Sequence, residues 1–93
     1  MPAELGEKTM RYQRLLREAL EDVKKAPSLS PEMGHIADEY LEMAQSYYLD
    51  GSHFLDIGDP VNALVCFSYG HAWLDAGVRL GVFKVTKTDL FAA

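Results

Sequence analysis

The sequence predicts an all-α fold, a three-helix up-down-up bundle that forms a single domain over residues 1–93. One observation is that a proline follows Ser30 and another follows Asp59, the order of a capping residue and the first residue of a helix. The other is that apolar side chains recur at helical spacing between these breaks. We predict helices over about residues 3–25, 31–57 and 60–80, followed by a tail over residues 82–93.

Composition and charge narrow the classes of function. The chain has 93 residues, 48% of them hydrophobic, and a formal net charge of −5, which disfavours a general nucleic-acid or anionic-membrane surface. Its single cysteine, Cys66, cannot form a disulfide within the chain and favours a cytoplasmic location. The N-terminus lacks the apolar run of a signal peptide, and no stretch of about 18 apolar residues is present for a membrane span.

The first two predicted helices each combine an apolar face with a charged face. In the first helix, residues of opposite charge lie four positions apart on the charged face, a spacing that stabilises a solvated helix. The pairs are Glu7–Arg11, Arg14–Glu18 and Glu21–Lys25. In the second helix, apolar residues fill an arc of roughly 160°. Both helices are therefore expected to bury one face and expose the other.

The third predicted helix differs, since apolar residues cover an arc of roughly 240° of its circumference. Its polar residues form one narrow stripe, made of Ser68, His71, Asp75 and Arg79. Gly70 and Gly77 each cost about 1 kcal/mol of helix propensity relative to alanine, and close approach by a neighbour would offset that cost. We expect this helix to contact both other helices, and a second copy of the protein to cover what remains apolar.

The tail is the least determined part of the chain. Val82 and Phe83 are expected to complete the core, and residues 82–86 give the one weak signal for a strand. For Leu90 and Phe91 three outcomes stay open: docking on the bundle, a short helix capped by Thr88, or a mobile end.

The three histidines do not predict a metal site. His35 and His53 are 18 residues apart on one helix, about 27 Å at 1.5 Å per residue, and both fall on its polar face. If the second and third helices fold back on each other, His71 lies near the level of Ser46. We therefore interpret these histidines as surface residues, and we expect no metal and no cofactor.

His71 and Asp75 are four residues apart and can touch on one helical face. A nucleophile beside such a pair would suggest hydrolysis, but Cys66 points more than about 100° away around the helix. Phosphate loops, zinc-protease motifs and nucleophile elbows do not occur. We interpret the pair as part of a polar stripe that faces water, with ligand binding as the alternative. Arg79 is expected to bridge to Asp38.

One hairpin resembles a tetratricopeptide repeat in its alternation of aromatic and small residues. The residues are Tyr47, Gly51, Phe54, Ala63, Phe67 and Gly70. The small residues would let two helices approach closely while the rings fill flanking holes. The match covers one hairpin, whereas a repeat array needs at least about three copies, so a peptide-binding array is not expected.

A longer stretch, residues 50–83, resembles the signature of a family of short archaeal proteins, domain of unknown function 357. The matching residues are Phe54, Gly58-Asp59, Asn62-Ala63-Leu64, Phe67-Ser68-Tyr69-Gly70-His71, Trp73-Leu74-Asp75-Ala76-Gly77, Arg79 and Gly81. The resemblance implies a helical bundle and no assigned activity. The resemblance also implies a link to nucleotidyltransferase-like domains, since some relatives are joined to such domains.

These observations predict a non-enzymatic helical module that binds another protein or a second copy of itself, as a homodimer. The candidate binding residues are His71, Asp75, Arg79, Trp73 and Tyr69. The alternative is an accessory domain that binds a nucleotide or another small ligand beside a nucleotidyltransferase-like protein. RNA binding through the basic residues of the first helix is disfavoured, because acidic residues alternate with them.

Overall fold

The computed structural model describes residues 4–92 and confirms the three-helix bundle. The helices are α1, Leu5–Asp22; α2, Pro31–Asp56; and α3, Pro60–Leu80. Two short strands, β1 at Lys24–Lys25 and β2 at Phe83–Lys84, and a 3-10 helix at Thr88–Leu90 complete the described chain. No helix within residues 4–92 is both long and apolar enough to cross a membrane.

The helix starts follow the capping chemistry that the sequence predicts for α2 and α3. The Ser30 hydroxyl accepts a hydrogen bond from the Met33 backbone N–H at 3.2 Å. The Asp59 carboxylate accepts one from the Asn62 backbone N–H, also at 3.2 Å. For α1 the cap is Glu4, whose carboxylate accepts from backbone N–H groups of the first turn. Residue 3, where the first helix was expected to begin, lies outside the described residues.

The predicted end of the first helix at residue 25 is wrong, because the chain leaves the helix at Asp22 to form a strand. Strands β1 and β2 pair antiparallel, with Lys24 opposite Lys84. The backbone N–H of Ala26 extends this pairing by donating to the Val82 carbonyl at 2.9 Å. The weak strand signal in residues 82–86 is therefore confirmed, and its partner strand is Lys24–Lys25, the predicted last turn of the first helix.

Helix α3 lies at the centre of the fold, since it packs against both α1 and α2. The side chains at its core face are fully buried, as are their counterparts on the other helices. The fully buried apolar residues are Leu16, Ala19, Ala37, Ala44, Ala63, Phe67, Leu74 and Val82. The expectation that the third helix contacts both partners is confirmed.

Glycines permit the closest approaches. A Cβ at Gly77 would overlap the Phe83 ring, and a Cβ at Gly51 would overlap the Phe67 ring. At Gly70 a Cβ would lie 3.0 Å from Leu16 and from Tyr47. The close approach predicted at Gly70 and Gly77 is therefore confirmed, although the neighbour of Gly77 is strand β2 and not a helix.

The tail docks on the bundle, which settles the alternatives left open by the sequence. Phe91 is buried, with 9% of its surface exposed, and joins the core cluster. The short helix forms as well, but Thr88 is its first residue and does not cap it. The segment beyond Leu80 therefore adds to the hydrophobic core instead of remaining mobile up to residue 92.

Candidate functional site

The two polar side chains at the middle of α3 lie beneath the tail. The Nε2 of His71 donates to the carbonyl oxygen of Leu90 at 2.6 Å, and the backbone N–H of Ala92 donates to the Asp75 carboxylate at 2.9 Å. The side chains of His71 and Asp75 are 18% and 27% exposed. The expectation of a polar stripe that faces water is wrong for these two residues, because the tail covers them.

His71 and Asp75 contact the tail more closely than they contact each other. The distance from His71 Nε2 to Asp75 Oδ1 is 3.9 Å, beyond hydrogen-bond range. Since the Nε2 proton points to a carbonyl, the carboxylate does not orient the ring in the way a catalytic dyad requires. Both groups instead bind backbone groups of the tail, a partly buried carbonyl in the case of His71 and an exposed N–H in the case of Asp75.

A cavity of about 430 Å³ lies beside the docked tail, between α1 and α3. We call it the tail groove. Its walls on the helices are Tyr12, Leu15, Phe67, Ser68, His71 and Asp75. The Phe91 ring packs near the His71 imidazole, with 6.0 Å between ring centroids. The groove therefore combines an aromatic anchor with polar groups that bind an extended backbone.

Thr86 and Lys87, in the middle of the tail, are held by the side chain of Asp22, which the sequence does not predict as a functional residue. The Asp22 carboxylate accepts hydrogen bonds from the backbone N–H of Thr86 at 2.8 Å and of Lys87 at 3.0 Å, and from the Thr86 hydroxyl. The Thr86 hydroxyl and these backbone N–H groups hold the pKa of Asp22 below its ordinary value. The partners are 64 and 65 residues away in sequence, so no local pattern could have identified this contact.

The predicted bridge between Arg79 and Asp38 is wrong. Asp38 pairs with Lys25, whose Nζ lies 3.0 Å from its carboxylate, because the turn into β1 places that lysine beside α2. Arg79 is exposed at the last turn of α3 and makes no ion pair with any residue between 4 and 92. Arg79 is thus exposed, whereas His71 and Asp75 are largely covered by the tail.

Tyr69 and Trp73 belong to an aromatic row that follows the boundary between α2 and α3. Tyr47 contacts Tyr69, Tyr69 contacts Trp73, and Trp73 contacts Tyr40. Each contact is edge-to-face, with centroids 4.8, 6.1 and 5.1 Å apart in that order. Trp73 is largely covered by its neighbours, whereas Tyr69 is 49% exposed. The row thus presents one ring to solvent.

Six of the exposed residues of α3 are apolar, and they recur along the solvent-facing side of the helix beside the exposed polar residues Asn62, Ser68 and Arg79. We call this surface the α3 stripe; it consists of Val61, Val65, Tyr69, Ala72, Ala76 and Leu80. Val61 and Val65 are 58% and 60% exposed, unlike typical valines in a small domain. A shallow cavity of about 410 Å³ opens on the stripe beside Val65 and Tyr69. Sequence reasoning missed most of these residues, although the wide apolar arc of the helix was the available signal.

Other candidate groups are accounted for by ordinary contacts. Cys66 is buried, and burial raises the pKa of its thiol, which lowers its reactivity. His35 pairs with Glu39 at 2.8 Å, and His53 packs near the Phe54 ring. Within residues 4–92, no three His, Cys, Asp or Glu side chains lie close enough together to hold a metal ion.

Comparison with known proteins identifies relatives of this bundle. It is similar to the crystal structure of protein AF1782 from Archaeoglobus fulgidus, with a TM-score of 0.71 and 22% identity over 88% of this chain and 93% of that one. At this identity the likeness shows the fold. No curated protein matches the chain. The family model described as protein of unknown function (DUF357) matches residues 11–83. Since that match spans most of the sequence and includes α2, α3 and most of α1, the chain belongs to the DUF357 family.

Proposed function

We propose that this protein is a non-enzymatic helical module of the cytoplasm that docks onto another protein surface through the α3 stripe. The observation that supports this proposal is that six apolar residues are exposed along one helix whose solvent side carries a single charge, Arg79. Apolar patches of this kind on small soluble proteins usually mark interaction sites. The stripe extends over the 21 residues of α3, about 30 Å at 1.5 Å per residue.

The charge distribution of the three helices supports this assignment. Eight of the 18 residues of α1 are charged, whereas α3 carries only Asp75 and Arg79. Asp75 is covered by the tail, so Arg79 is the one charge on the solvent side of α3. A helix that faced only water would gain solubility from charged residues at these positions.

The alternative function, binding of a nucleotide or other small ligand beside a nucleotidyltransferase-like partner, would use His71, Asp75 and Arg79. The first two already have backbone partners in the tail, and Arg79 is exposed separately from them. A small ligand in the tail groove would meet His71 and Asp75 with hydrogen-bonding atoms already engaged by the tail backbone. We therefore favour the docking function, which uses groups that are accessible as the chain stands.

The docking function is tested with a photocrosslinking residue in the full chain, expressed in the cells that encode it. We would place p-benzoylphenylalanine at Val65 on the α3 stripe, and at Leu49 as the matched control. Leu49 is also an exposed apolar residue in the middle of a helix, at 67% exposure, but lies on α2 and outside the stripe. We expect a discrete adduct from position 65 and none from position 49.

Two further observations make that result specific. The adduct should disappear when Tyr69→Glu is added, because a charge in the middle of the stripe must then be buried on docking. Circular dichroism should show the same helix content for every variant, since all the altered side chains are exposed or half-exposed. Equal adducts from positions 65 and 49, or none from position 65, would refute the docking function.

A further inference from the structure

We infer that the α3 stripe pairs with the same stripe of a second copy in the antiparallel orientation. The two-fold axis relating the copies lies at the level of α3 midway between Gly70 and His71. This inference rests on the proposed docking function and names the partner. A two-fold interface must be self-complementary, so that each residue faces its counterpart and the counterpart faces it. The positions of the exposed apolar residues along α3 meet that requirement.

The stripe is symmetric about its own midpoint. Val61 and Leu80 are equally distant from the point between Gly70 and His71, one on each side. The same holds for Val65 and Ala76, and for Tyr69 and Ala72. Each of these six side chains is exposed. An antiparallel pair of α3 helices therefore brings every exposed apolar residue of one copy to the same level along the axis as an exposed apolar residue of the other.

The sizes of the paired side chains fit the same arrangement. Ala72 of the second copy lies at the level of Tyr69, and Ala76 at the level of Val65, so that each larger residue has a smaller one at its level. A parallel pair in register would instead place Tyr69 against Tyr69 and leave the alanines facing each other. Steric complementarity at the centre of the interface therefore favours the antiparallel orientation.

The charges at the edge of the stripe favour the antiparallel orientation as well. Arg79 and Asn62 are also equally distant from the midpoint, so the guanidinium lies at the level of Asn62 of the second copy. One turn earlier is Asp59, whose carboxylate caps α3 and binds the Asn62 amide. The antiparallel pair thus places the two Arg79 side chains at opposite ends of the interface, whereas a parallel pair would bring them to the same level.

The first test measures the oligomeric state of the purified full chain by sedimentation equilibrium. We expect a reversible dimer with a dissociation constant between about 1 µM and 1 mM, because one helix face is small beside a standard interface. Val65→Glu should weaken the dimer by at least about tenfold, since the carboxylate would be buried against Ala76. Leu49→Glu, the control on α2, should leave the dissociation constant unchanged.

The second test measures the orientation with a short bismaleimide crosslinker in a Cys66→Ala background. In the antiparallel pair, the two copies of residue 72 are displaced by about 4.5 Å along the helix axis and the two copies of residue 61 by about 28 Å. Ala72→Cys should therefore crosslink to itself, and Val61→Cys should not. A mixture of the Val61→Cys and Leu80→Cys proteins should give the mixed adduct.

The outcomes separate this inference from the docking function. A chain that is monomeric at about 1 mM overturns the inference, while an adduct of another mass from position 65 in cells would keep the docking function. A dimer in which Val61→Cys crosslinks to itself overturns the orientation. A dimer that Val65→Glu does not weaken overturns the use of the stripe for self-association.

Discussion

The two outward sides of α3 differ in whether the rest of the chain covers them. On one side, the polar residues His71 and Asp75 are covered by the tail. On the other side, the α3 stripe, apolar residues such as Val65 and Tyr69 are left in water. An ordinary surface helix does the reverse, burying its apolar side and exposing its polar side.

The difference indicates that the position of the tail is not explained by burial alone. If the tail served only to hide apolar surface, Val61 and Val65 offered more of it than the covered pair did. The tail instead lies where His71 and Asp75 supply hydrogen bonds to its backbone. The α3 stripe consequently stays free for a partner, which is the arrangement that the proposed dimer requires.

The largest expected effect comes from Gly77→Ala, which disturbs the packing between α3 and strand β2 on the side of the helix that the tail covers. A Cβ at this position would overlap the Phe83 ring, so strand β2, from which the tail continues, must shift. We expect a loss of about 3 kcal/mol in the free energy of unfolding, because overpacking outweighs the gain of about 1 kcal/mol in helix propensity. Urea denaturation monitored by circular dichroism measures this loss.

The matched control for that substitution is Gly34→Ala. Gly34 also lies within a helix, but a Cβ there would meet nothing within 4 Å. The substitution should therefore stabilise the protein by up to about 1 kcal/mol. If both variants changed stability in the same direction, the close approach at Gly77 would not be the cause.

A smaller effect is expected from Phe91→Ala, which releases the tail and leaves the bundle beneath it intact. Removing this buried ring should cost about 2 kcal/mol, and hydrogen exchange at the Ala92 backbone N–H should become much faster. Asp89→Ala, which changes an exposed side chain of the same tail, should have neither effect. Unchanged protection at Ala92 in Phe91→Ala would show that His71 and Asp75 hold the tail without the ring.

The same variant tests whether the two sides of α3 are independent. The α3 stripe shares no residue with the contacts that hold the tail. The dissociation constant of the Phe91→Ala dimer should therefore equal that of the unaltered protein, measured by sedimentation equilibrium. A weaker dimer would mean that the tail supports the stripe from the opposite side of the helix.

The helices were predictable from sequence because their determinants are local. Ser30 and Asp59 cap helices that begin one residue later, and the apolar periodicity identifies which face each helix buries. The error at the end of α1 has the opposite cause. Lys24 and Lys25 leave the helix to pair with residues about 60 positions later, and no local preference records that pairing.

The candidate site was predictable in its residues but not in their surroundings. The spacing of His71 and Asp75 correctly predicts that they share one face of the helix. In the structure His71 Nε2 lies 3.9 Å from Asp75 Oδ1. Their cover depends on where the tail lies, 17 to 19 residues further along the chain. Which part of the apolar arc of α3 stays exposed, in contrast, depends on how much of that helix α1 and α2 cover. That quantity requires three-dimensional packing, which is why Val61 and Val65 were not singled out.

The smallest expected effect concerns the start of the tail and depends on pH. The pKa of Asp22 is lower in the folded protein than in the unfolded chain, because the Thr86 hydroxyl and two backbone N–H groups bind its carboxylate. As the pH falls, the unfolded chain therefore takes up this proton first. The stabilisation from Asp22 is present above about pH 4 and is lost as the pH falls through the folded pKa.

This sign is checked by comparing the free energy of unfolding of the unaltered protein and of Asp22→Asn between about pH 6 and pH 2. We expect the unaltered protein to be more stable at the upper end and the difference to shrink at the lower end. Glu21→Gln, an exposed neighbour without hydrogen-bond partners within residues 4–92, should show no comparable change. A difference that stays constant with pH would mean that the carboxylate charge does not hold the tail. The contact would then act through geometry alone, and the tail would stay docked over His71 and Asp75 in acid.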